Sequence, residues 1–180
     1  MPLKSTPTRY GAVAVTIHWI TALLIVALLV TGFRIASLDD ATAKVAFLSF
    51  HAPTGILILL LTVLRVLWWW LADRKPAAPA DDPAWQTATA RLVHVLFYVV
   101  IFVMAASGIG MMLLSGAGAI LLGDAPVSSL PDFDDFIPHI PHGIGAFSMI
   151  ALLVFHAGAA LYHHFVRRDG LLWRMWFARG

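Results

Sequence analysis

Eight histidines carry most of the chemistry available to this chain, and four of them are regularly placed. His142 and His156 lie 14 residues apart in the last apolar stretch, Pro138 to Arg168. At about 100° per residue in a helix, the second imidazole returns to within about 40° of the first, about 21 Å further along. His163 follows seven residues later on nearly the same stripe, with His164 beside it. An imidazole costs free energy in lipid unless it has a partner. A row of them at different depths needs an explanation, and two stacked metal centres would supply one.

The elements that must hold these side chains follow from composition. The 180 residues are 60% hydrophobic and 12% charged, with mean hydropathy +0.83. That is too apolar for a soluble domain and leaves room for four spans of about 20 residues. The chain has no cysteine, which excludes disulfides and thiolate-held iron–sulfur clusters. The basic residues flank the apolar spans, where they serve topology, so the pI near 9.3 does not imply nucleic acid. The reading is an all-α integral membrane protein, a four-helix transmembrane bundle forming a single domain. Its spans fall at about 12–34, 45–71, 87–114 and 138–166. The first run is too long for a signal peptide, lacks a following cleavage site and is interrupted by His18. Residues 73–86 form a Pro/Ala/Asp linker, and 167–180 alternate Arg with large apolar residues, as in an amphipathic cytoplasmic tail.

Charge sets the orientation. With both termini and the 73–86 linker on one side, that side holds Lys4, Arg9, Arg65, Arg74, Lys75, Arg91, Arg167, Arg168, Arg174 and Arg179, ten of the twelve basic residues. Arg34 and Lys44 are left on the other. The positive-inside rule then places both termini in the cytoplasm.

Depth sorts the histidines into pairs. His51 is seven residues after Lys44, and His142 is seven after Asp135. Both lie about 10 Å below the outer surface. His18 is nine residues from Arg9, and His156 is eleven from Arg167. Both lie about 13 to 17 Å from the inner surface. Two imidazoles from facing helices at equal depth suit bis-histidine ligation of b-type haem. Zinc is the competing metal, but a structural site wants four ligands at one depth. Small residues near the histidines, Gly55 after His51, Gly145 after His142, and Ala159 with Ala160 after His156, would let a flat macrocycle lie against a helix; ordinary helix packing in lipid uses them too. Arg65 lies 14 residues after His51, at inner depth, and would meet a haem propionate or snorkel to the interface.

Several stretches together resemble the bacterial cytochrome b561 family. They are Arg9-Tyr10-Gly11 leading to Ile17-His18-Trp19, then His51-x-x-x-Gly55, then Arg91-x-x-His94-x-x-x-Tyr98, then His142 through His156 to His163-His164. The resemblance covers nearly the whole chain. It implies four helices holding two b haems, with His18 and His156 on the inner iron and His51 and His142 on the outer one. Among such proteins the chain is most similar to small stand-alone superoxide oxidases, which pass an electron from superoxide through both haems to ubiquinone. Arg34 and Lys44 would then draw in the anion, against a 115–137 loop holding Asp124, Asp132, Asp134 and Asp135. His163 would hydrogen-bond and protonate the quinone, with Tyr162, His94 and Arg167 as neighbours. The alternatives are a cytochrome b anchor passing electrons between quinone and a dehydrogenase or hydrogenase partner, and a non-redox protein whose histidines bind metal or carry protons.

Overall fold

The computed structural model describes residues 1–78 and 82–177. Residues 79–81 of the linker, and the end of the tail with Arg179, lie outside the described residues. Long runs of Leu, Val, Ile and Ala with few breakers make four long helices. These are α1 (Ala12–Ser37), α2 (Ala41–Leu71), α3 (Ala84–Ser115) and α5 (His139–Tyr162), the last continued by a π turn at His163–Arg167. Each is long and apolar enough to cross a membrane, and no strand occurs among the described residues. The protein is an all-α, multi-pass membrane protein. Outward side chains such as Leu23, Val30, Leu60 and Phe155 present the apolar surface that lipid covers.

The ends are set locally. The Asp40 carboxylate caps α2 by accepting from the Ala43 amide at 2.7 Å. The short α4 (Ala117–Leu122) starts after Gly116 (φ 71°) and stops at Gly123 (φ 83°), both in the left-handed region that glycine enters without strain.

Contacts group the chain into two compact units. One comprises Met1–Thr21, Leu61–Tyr98 and Met149–Gly180 and holds both termini; the other comprises Ala22–Leu60 and Val99–Ser148.

The first unit is fastened by a polar clasp. Asp73 accepts from the Ser5 amide (3.0 Å), the Ser5 hydroxyl (2.8 Å), the Trp68 indole (3.1 Å) and the Arg74 amide (2.8 Å). The Ser5 oxygen in turn accepts from the Gly11 amide at 3.0 Å. A Cβ at Gly11 would fall on the backbone of Leu3 and Lys4, so only glycine fits. Residues of the 167–180 tail close on the same region as a 3-10 turn, Leu171–Met175. Arg174 donates to the carbonyls of Thr8 and Ala77, Arg9 donates to Trp173 O, and the Trp19 indole donates to Met175 O.

Burial alone would raise the Asp73 carboxyl, but the donors from Ser5, Arg74 and Trp68 outweigh it and hold the group below its ordinary 3.8. A depressed carboxyl contributes stability above its unfolded value, lost as pH falls through the folded one. Asp73→Asn is therefore expected to cost about 1–3 kcal/mol at neutral pH. In detergent, thermal unfolding of the wild type should fall toward that of the variant only below pH 3.8.

Candidate functional site

Within the second unit, α2 and α5 bring His51 and His142 together with ring centres 6.2 Å apart. Each ring is held by a hydroxyl from a third or fourth helix. Thr31 on α1 donates its only hydroxyl proton back to the Ala27 and Leu28 carbonyls, so its oxygen, 2.9 Å from His51 Nδ1, accepts from the ring. Ser107 on α3 likewise donates to Val103 and Met104 carbonyls and accepts from His142 Nδ1 at 3.1 Å. The Met104 carbonyl, which can only accept, also lies 3.1 Å from that nitrogen. Both rings therefore carry their proton on Nδ1 and keep the Nε2 lone pair free for a metal.

The residue after each hydroxyl is glycine, and each glycine faces the same ring. A Cβ on Gly32 would lie 3.1 Å from His51 Cε1, and one on Gly108 3.3 Å from His142 Cε1. Both are tighter than ordinary contact, so the bare glycine backbone gives the ring its place. Gly55 faces Leu28, and a Cβ on Gly145 would press on Met104.

In the first unit, His18 on α1 and His156 on α5 place their ring centres 6.1 Å apart. His94 and Phe97 of α3 meet the His156 ring edge-on, at 5.6 and 5.5 Å. Arg65 Nη1 lies 3.3 Å from His18 Nδ1. A guanidinium only donates, so His18 is held here with Nδ1 accepting, the opposite of His51. Arg65 Nε is buried and has no hydrogen-bond partner among the described residues. A half-buried cation with an unmatched donor in this position calls for an anion.

The residues fit haem at both pairs. Iron about 2 Å from each nitrogen, with the ring centre roughly 1.2 Å further on, sets coaxial imidazoles about 6.4 Å apart. Both pairs lie close to that spacing. A porphyrin carboxylate would meet the unpaired face of Arg65, freeing His18 Nδ1 to take up a proton. Among the described residues no group of three or more His or acidic side chains could hold a metal by itself, which disfavours structural zinc.

Arg34 is exposed and Lys44 half-buried, and neither forms an ion pair among the described residues. The Asp134 carboxylate pairs with His139 at 3.2 Å. His163 Nδ1 donates to Asp169, a partner that spacing did not suggest. Thr31-Gly32 and Ser107-Gly108 share a hydroxyl–glycine pattern, which also occurs at Thr54-Gly55 and Ser115-Gly116.

Known proteins agree with this arrangement. The chain is similar to cytochrome b561 homolog 2 of Escherichia coli K12, with 31% identity over 97% of this chain and 95% of that protein. It is 29% identical to cytochrome b561 homolog 1 of the same organism, over 93% and 96% of the two chains. A Yersinia pestis protein named probable superoxide oxidase CybB is 26% identical over 93% of this chain and 95% of its own. Residues 9–178 match the prokaryotic cytochrome b561 family. With membrane-crossing helices and that match over nearly its whole length, the chain belongs to the prokaryotic cytochrome b561 family, b-haem proteins of transmembrane electron transfer.

Proposed function

We propose that this protein oxidises superoxide at the periplasmic face and reduces ubiquinone at the cytoplasmic side, with both termini in the cytoplasm of a bacterial inner membrane. The observation that carries the reading is the pair of facing imidazoles, each about 6 Å from its partner. Haem bound at each pair supplies a one-electron carrier. The overall balance is two superoxide ions, one quinone and two protons giving two dioxygen molecules and one quinol. The name of the Yersinia pestis relative supports superoxide as donor.

The chain's own groups have distinct tasks. His51 and His142 hold the outer iron, with their tautomers set by Thr31 and Ser107. His18 and His156 hold the inner iron, and Arg65 balances a propionate. Arg34 and Lys44 raise the local concentration of a small anion. Part of the acidity of the 115–137 loop is taken up internally: Asp132 accepts from the Asp134 amide and Asp134 pairs with His139. His163 protonates the quinone.

The test is stopped-flow mixing of the purified holoprotein with superoxide, with and without a short-chain ubiquinone analogue. Superoxide should reduce the haems, and the analogue should reoxidise them. Arg34→Ala with Lys44→Ala should slow the first step by about tenfold and flatten its dependence on salt. No haem reduction by superoxide overturns the donor; reduction without reoxidation overturns the acceptor.

A further inference from the structure

The end of α5 is irregular in a way that serves one side chain. Residues His163–Arg167 form a π turn, a feature often found at functional sites. Arg168 then adopts φ 53°, the one non-glycine residue in the left-handed region among the described residues. That conformation costs an ordinary side chain roughly 1–2 kcal/mol. The reversal brings Asp169 back onto His163, whose Nδ1 donates to its carboxylate. The other carboxylate oxygen accepts from the Leu171 amide at 3.0 Å.

Asp169 is itself fastened. Arg167 Nε lies 3.6 Å from it, while Arg167 Nη1 donates to Asp82 at 2.8 Å and to Gln86 on α3 at 2.6 Å. The His163 side chain is only 12% exposed and that of Asp169 22%. Tyr162 meets the His163 ring edge-on at 5.9 Å. The charged and titratable groups around His163 are thus Asp169, Arg167, Tyr162 and, through Arg167, Asp82. Burial raises the Asp169 carboxyl, but the donors from His163 and Leu171 and the nearby Arg167 charge hold it below 3.8.

We propose that Asp169 is the positioning residue that keeps His163 loaded as proton donor to the bound quinone, with Arg167 tying the pair to α3. The proposal rests on the quinone reading above. A carboxylate only accepts, so it keeps a proton on His163 Nδ1 and directs Nε2 to exchange with substrate. A proton taken up at Nε2 is then the one the ring can give to substrate. Quinone takes two electrons and two protons to become quinol. His163 gives one proton to a carbonyl oxygen, is reloaded from water past the partly exposed Asp169, and gives the second.

The test compares Asp169→Asn and Asp169→Glu with wild-type holoprotein, using a short-chain ubiquinone analogue. With ¹⁵N-histidine labelling, wild type should show His163 protonated at Nδ1, and Asp169→Asn should lose that signature. Quinone reduction in Asp169→Asn should slow about tenfold or more. Asp169→Glu should recover most of the rate, and haem reduction by superoxide without quinone should be unchanged in both. A wild-type rate together with a wild-type Nδ1 signal in Asp169→Asn overturns the role of Asp169. Failure of wild type to reduce the analogue overturns the quinone reading instead, and the ¹⁵N signature still decides whether Asp169 holds the ring. If Asp169→Asn does not fold, a full rate with a wild-type His163 Nδ1 signal in Arg167→Gln overturns the proposal.

Discussion

Replacing His51 with alanine should yield a protein carrying one haem per chain where wild type should carry two. The His51 ring lies 6.2 Å from that of His142, and its tautomer is fixed by Thr31. Loss of a supporting hydrogen bond alone typically costs 10- to 100-fold in metal affinity, and loss of the ligand itself costs more. His18 and His156 belong to the other compact unit and keep their own ring spacing. A pyridine haemochrome assay against protein concentration measures the ratio, and a redox titration should show one centre in place of two. Superoxide-driven haem reduction should drop by at least about 100-fold, because the donor's own centre is gone. Full haem content in His51→Ala would remove the basis for pairing it with His142.

Arg65→Gln should lower the midpoint potential of the inner haem by about 60 mV, a tenfold change in its electron affinity. The sign follows from charge. Reduction adds an electron beside a half-buried cation, so removing the cation favours the oxidised form. The magnitude reflects an Nε that is buried and unpaired among the described residues, where screening by water is weak. Arg65→Lys keeps the charge and should restore most of the potential. The centre at His51 and His142 should not move. Equal potentials in wild type and Arg65→Gln would show that the guanidinium serves only to fill space beside His18.

Much of this was legible in the chain because hydropathy and helical period act locally. Span positions and the depth match of His18 with His156, and of His51 with His142, follow from 1.5 Å per residue along each helix. The supporting shell did not follow, because it lies across helices. Gly55 and Gly145 were chosen as small residues on the ligands' own helices. The rings reach away from those helices, and the backbones that receive them are at Gly32 on α1 and Gly108 on α3. The hydroxyl–glycine pattern was a signal only in part, because it also occurs at Thr54 and Ser115; a hydroxyl that bonds back to its own helix has only lone pairs left to offer a neighbour. The partner of His163 was out of reach for another reason. It depends on a π turn and a left-handed Arg168, and no spacing rule anticipates either.

The clasp at the termini has a consequence for biogenesis. Its acceptors at Trp173 and Met175 are made later than the donors Arg9 and Trp19. The start of α1 and the residues before it, which carry these donors, therefore wait for α2, α3 and α5 to be made before they are latched. During that interval the Trp19 indole, which sits edge-on to His18, has yet to meet its acceptor, so the surroundings of that imidazole are completed late in synthesis.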